Sequence, residues 1–195
     1  MNHPNTSNTL LHRAQHGDSD AWSQIEELYW PLVHFWCQQR AVPVAEIAEV
    51  KANVLGTVSI QLVRFKHNGR TGAFRNWLRT IAVTEIANHY RTKGGAVACA
   101  GGTTANELLL QAPEPTAEEA SLETTILYKQ AWELISAECS ERDKAIFTRV
   151  VENDERPKQV AEEMGLKPHV VHKVVSRIKR LLRDRLGEEV ESVGV

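Results

Sequence analysis

The chain has 195 residues, 42% of them hydrophobic and 25% charged, with a formal net charge of -2. This length and balance allow one large or two small cores and argue against wholesale disorder. No run approaches the roughly 18 apolar residues of a membrane span, and the opening MNHPNTSNTL lacks the basic start and apolar stretch of a signal peptide, so a cytoplasmic protein of two small domains is expected.

In chain order, the periodicity predicts helices almost throughout and no sustained alternation, hence an all-α fold. A first helix should end at Gly17, with Asp18 capping a second that carries Trp22, Ile25 and Leu28. Pro31 is expected to open a further turn containing Leu32, Phe35 and Trp36. After Pro43, the series Ile47, Val50, Val54, Val58, Leu62 marks a long amphipathic helix that Gly56 weakens without ending. The loop KHNGRTGA follows, and a helix starting in GAFRNWLRTIA runs to about Arg91. In that helix Phe74, Trp77, Leu78 and Ile81 share a face with Ile86, which assigns the aromatics to a core. Arg75 and Arg79 are then expected outside, facing phosphate.

From Thr92 to about Thr116 the glycines, prolines and small residues read as a flexible linker, in which Leu108, Leu109 and Leu110 could form a docking turn. Further helices are expected at about 117–137, 141–152, 157–164 and 167–186, followed by a frayed tail. Cys37, Cys99 and Cys139 are widely separated, so neither a disulfide nor a cysteine metal site is expected.

The net charge conceals a segregation. Gln61 to Lys93 holds seven Lys/Arg and one acid, Glu85; Arg156 to Leu186 holds nine and three. Between them, Glu107 to Glu155 carries twelve acids and four basic residues. Two basic blocks separated by an acidic one point to two contacts with a polyanion. The second block has the layout of a helix-turn-helix: Pro157 opens a short helix with Val160, Ala161 and Met164 inside, Gly165 supplies the turn, and Pro168 starts a second helix. There, Val170, Val171, Val174, Val175, Ile178, Leu181 and Leu182 form an apolar stripe. His169, His172, Lys173, Ser176, Arg177 and Arg180 remain for base edges and phosphates.

LLHRAQHGDSDAWSQIEELYWPLV, then VRFKHNGRTGAFRNWLRTIAVTEIANHYR, a linker, and the basic helix-turn-helix together resemble the extracytoplasmic-function (ECF) class of RNA polymerase sigma factors. The resemblance implies a region 2-like domain over 1–92, a linker over 93–116, a region 4-like domain over 117–187 and a tail over 188–195. It implies core RNA polymerase, through its clamp and flap regions, and promoter DNA as partners, with an anti-sigma factor as a further candidate. The first domain would take the minus-ten element and the second the minus-thirty-five element. Glu49, Ala52 and Asn53 lie where the family usually has an acidic residue and a Gln-Glu pair facing the clamp, so Ala52 and Asn53 depart from the pattern. By the same similarity the minus-ten contacts are Lys66, His67 and Arg70 in the loop with Arg75, Arg79, Thr84 and Asn88 in the helix; Thr84 and Asn88 stand where the family often has Asn and Asp. Lys167 replaces a usual Ser cap and Val174 a common Arg, which leaves Lys173 and Arg177 as the expected base-reading residues.

His12 and His16 have metal-pair spacing, but no third ligand is near them in sequence. GGAVACAGG lacks the Gly-Lys-Ser/Thr ending of a P-loop, and no carboxylate pair suggests acid/base chemistry. No enzyme activity and no cofactor are expected. Two other functions fit the same pattern: a helix-turn-helix regulator acting without polymerase, and a degenerate sigma-like interaction protein.

Overall fold

A computed structural model describes residues 6–66, 70–93 and 115–187, with side chains from Leu10 onward. Among these residues the chain is all-helical, without a strand. None of the described helices is long and apolar enough to cross a membrane.

Helix α1 (Thr6–Gln15) is followed by Gly17 in the left-handed region, at φ +84°, a conformation that glycine adopts without a Cβ penalty. Asp18 then caps α2 (Ser19–Gln39), accepting the Asp20 and Ala21 N–H groups at 3.0 Å each. The expected separate turn at Pro31 is absent, because α2 runs straight through it. A proline inside a helix costs about 3 kcal/mol. Here Leu28, Tyr29, Leu32, Val33 and Trp36 are buried before and after the proline, and their shared packing keeps the helix continuous.

Helix α3 (Val44–Gln61) buries Ile47, Val50, Val54 and Val58, and passes into a 3-10 turn (Leu62–Arg64) where Leu62 completes the stripe. Helix α4 spans Ala73–Lys93. Helix α5 (Ala117–Ser136) starts with a capping box in which Thr116 and Glu119 satisfy one another's backbone N–H. Helix α6 (Glu141–Phe147) is capped by Ser140 and widens into a π turn over Thr148–Glu152. Helices α7 (Pro157–Glu163) and α8 (Pro168–Leu186) complete the described chain.

Helix α2 is central, packing on α1, α3, α4 and α5, while α8 packs on α1, α5, α6 and α7. One apolar core therefore extends from Leu11 to Leu186 through Leu32, Phe74, Leu127 and Ile178. The expected linker, with Leu108, Leu109 and Leu110, lies outside the described residues except for Thr92 and Lys93, which belong to α4, and Pro115 and Thr116. The tail 188–195 lies outside them as well.

Candidate nucleic-acid interface

Helix α8 is amphipathic for a local reason: valines, isoleucine and leucines recur at three- and four-residue spacing, so one side must leave water. Val171, Val174, Ile178, Leu182 and Leu186 are buried, while Val170, Val175 and Leu181 are half-buried at the edge of the stripe. Helix α7 reaches α8 through a turn in which Gly165 has φ +64° and Leu166 N–H donates to the Ala161 carbonyl at 2.8 Å. Arg149 ties the start of this pair to the preceding turn, donating from Nε to Glu155 at 3.0 Å and from a terminal nitrogen to Glu163. The hydrogen bond from Arg149 holds Glu155 below the usual carboxylate range, and Gln159 followed by Arg149 does the same for Glu163.

On the outer side, His169, His172, Lys173, Ser176 and Arg180 are exposed together, as expected. Lys167 and Arg183 extend the same exposed basic surface at its two ends. Arg177 is also exposed, but a terminal nitrogen donates to the buried Asp143 carboxylate of α6 at 2.7 Å. It holds two helices together and is less available to a base edge than Lys173.

A second surface lies where α1, the 3-10 turn and α4 meet. The Gln15 side-chain amide donates to the Leu62 and Phe65 carbonyls, each at 2.9 Å, and so fixes the turn. Beside it opens a groove of about 410 Å³ lined by Arg64, Phe65, Lys66, Ala73, Asn76, Trp77 and Thr80. The Phe65 ring lies 5.0 Å from the Trp77 ring and 5.6 Å from the Phe74 ring. Phe74 is fully buried, and Trp77 packs against the same core while remaining half-exposed. The groove thus combines an indole edge, an exposed amide, a hydroxyl and two exposed cations, which suits an unstacked base with its phosphates.

Of the residues expected in the first basic surface, Lys66 lines the groove and Arg70 is exposed nearby in sequence, while His67 lies outside the described residues. Arg64, Asn76, Trp77 and Thr80 are additional. Their signal was present in the sequence: Ala73, Asn76, Trp77 and Thr80 share one face at i, i+3, i+4 and i+7. Thr84 and Asn88 do not line this groove. Thr84 is buried and donates to the Thr80 carbonyl at 2.8 Å, while Asn88 accepts from Arg91 at 2.9 Å.

Arg75 and Arg79 are not outside. Their exposures are 8% and 4%, because α5 covers this part of α4. Arg79 Nε lies 3.2 Å from the Glu123 carboxylate, and Arg75 donates to Thr124 Oγ1 at 3.0 Å. Gly72, at φ +76°, permits this arrangement, since a Cβ there would press on the Arg75 guanidinium at 3.0 Å. An outward placement follows from helical spacing only if nothing packs on that face; here a helix more than forty residues away does.

On α3, Glu49, Ala52 and Asn53 are exposed and share one face, with the apolar Val44 and Ile60 exposed toward the helix ends. Near the opposite end of α4, His89 Nε2 meets Glu46 at 2.7 Å and Lys93 bonds the same carboxylate. Among the described residues, no group of three or more His, Cys, Asp or Glu could hold a metal ion. The His12 and His16 rings lie 4.2 Å apart, with His16 Nδ1 against the His12 carbonyl.

No protein-family model and no curated protein matches the sequence.

Proposed function

We propose that this chain is an RNA polymerase sigma factor of the ECF class, a non-enzymatic cytoplasmic subunit that directs core polymerase to particular promoters. The observation that carries the reading is the pairing of two unlike basic surfaces on one chain. The outer side of α8 has the charge and shape for duplex DNA, and the groove at Lys66, Asn76, Trp77 and Thr80 has the chemistry for an unpaired base. A regulator that reads duplex alone has no use for the second. In this proposal α1 to α4 form the polymerase-binding and minus-ten unit, α5 to α8 form the minus-thirty-five unit, and the outer face of α3 meets the clamp.

The exposed Ala52 and Asn53 favour one second reading, a sigma-like interaction protein that binds polymerase without opening promoters, because they leave the clamp-facing surface short of charge. Two measurements separate the possibilities. Co-purification with core polymerase is expected for both sigma readings and not for a free-standing regulator. Run-off transcription, with mapping of transcript starts after overexpression, is expected only for an active sigma factor. Failure to form any complex with core polymerase would remove the proposal.

A further inference from the structure

Helix α5 is joined to the first half of the chain by a buried ionic cluster. Glu123 is 1% exposed; it accepts the Trp36 indole N–H at 2.7 Å and faces Arg79 Nε at 3.2 Å and Arg75 Nε at 3.7 Å. Glu119 takes a second nitrogen of Arg79 at 3.2 Å while it closes the capping box with Thr116. Two guanidinium groups and the Glu123 carboxylate are thus withdrawn from water between α4 and α5, while Glu119 closes the cluster at its solvent-facing edge.

Cohesion alone does not call for such a cluster. Desolvation offsets most of the attraction between buried charges, and apolar side chains of the same volume hold helices together at least as well. The apolar contacts are in place anyway, since Leu127, Ala131 and Ile135 of α5 are buried in the common core. What the charges add is exchangeability: a carboxylate and a phosphate satisfy an arginine in the same way, with oxygens facing its N–H groups. Along the sequence, the acidic block containing Glu119 and Glu123 supplies counter-charge to the basic block containing Arg75 and Arg79.

We infer that α5 is an internal competitor of nucleic acid for Arg75 and Arg79. In the closed state Glu119 and Glu123 engage Arg79, and Glu123 with the Thr124 hydroxyl faces Arg75; in the open state α5 withdraws, and the same arginines, five and nine residues beyond Arg70 in the first basic block, meet backbone phosphates. This rests on the nucleic-acid reading of the preceding subsection. The observed affinity for single-stranded DNA is then lower than the intrinsic affinity by the fraction of molecules that are open.

The test uses the full chain and a fluorescent mixed-sequence single-stranded DNA of about 12 nucleotides, within the length range of a single binding module. Three variants are titrated at one salt concentration. Glu123→Gln breaks the cluster and should tighten binding about fivefold or more, the gain expected from opening a predominantly closed population. Trp36→Phe releases Glu123 without changing net charge and should tighten binding in the same direction. Glu118→Gln, at an exposed position on the same helix, makes the same charge change as Glu123→Gln and should shift affinity by less than about twofold, as one solvated charge does. Hydrogen exchange on the unaltered chain gives a readout independent of any variant: saturating DNA should speed exchange of the α5 amides. Equal affinities for Glu123→Gln and Glu118→Gln, or α5 exchange that DNA leaves unchanged, would overturn the inference while leaving nucleic-acid binding intact. Absence of binding by the unaltered chain and by every variant would remove both.

Discussion

Arg177 crosses from α8 to α6 and places a guanidinium nitrogen 2.7 Å from the carboxylate of Asp143, which is only 6% exposed. Asp143 also sits in the first turn of α6, where its backbone N–H is held by Ser140 at 3.2 Å. The pair fixes the angle at which α8 is presented. Arg177→Ala is therefore expected to lower unfolding free energy by about 1 kcal/mol, less than the roughly 1.5–3 kcal/mol of a charged hydrogen bond because the arginine is half in solvent. Urea denaturation measures it. An unchanged urea midpoint with a large loss of sequence-selective DNA binding would reverse this assignment.

Lys173 carries the complementary expectation. It is exposed in the early turns of α8, where base edges are within reach, whereas Arg183 lies further along and meets phosphate. Lys173→Ala should cost about 1–3 kcal/mol on the preferred duplex and much less on a scrambled one. Arg183→Ala should weaken both equally and reduce the salt slope by about one. Titrations on the two duplexes at several salt concentrations distinguish them, and an equal loss for Lys173→Ala on both would assign sequence reading elsewhere.

The groove on α4 makes a different demand. Asn76 is exposed and Thr80 turns its hydroxyl to the Asn76 carbonyl at 2.8 Å, so Asn76→Ala should leave the fold intact while weakening single-stranded DNA binding. Binding of a base against Trp77 should quench indole fluorescence, and Trp77→Phe should remove that quenching. A stacked base contributes about 1–3 kcal/mol. Quenching that survives Trp77→Phe would place the base elsewhere.

Acid sensitivity is expected at the junction of α3 and α4. Hydrogen bonds from Lys93, then His89, hold Glu46 below the usual carboxylate range. A carboxylate whose folded pKa is depressed stabilises the fold above its unfolded pKa, here the ordinary 4.5, and that contribution is lost as pH falls through the lower folded value. The melting temperature of the unaltered chain should exceed that of Glu46→Gln at pH 6, and the gap should narrow as the pH falls below the ordinary 4.5. A gap of the same size at pH 6 and pH 3 would rule out this linkage.

Much of the local structure was written in the residues themselves. Asp18 after Gly17, Pro168 after Gly165, and the three- and four-residue recurrence of Ile47, Val50, Val54 and Val58 each act within one or two helical turns, so they set helix boundaries and buried faces wherever the helix later packs. The exposed basic side of α8 was legible for the same reason. Pro31, Trp77, Arg75 and Arg79 were decided by partners distant in sequence. The packing of Leu32 and Trp36 in the shared core carries α2 through its proline, and the Gln15 contact sets the turn beside Trp77. Glu123, forty-four residues beyond Arg79, turns two surface arginines into buried ones. Helical spacing states which side chains share a face; only tertiary packing determines whether that face meets water, because desolvation depends on every atom brought near it and not on the element alone.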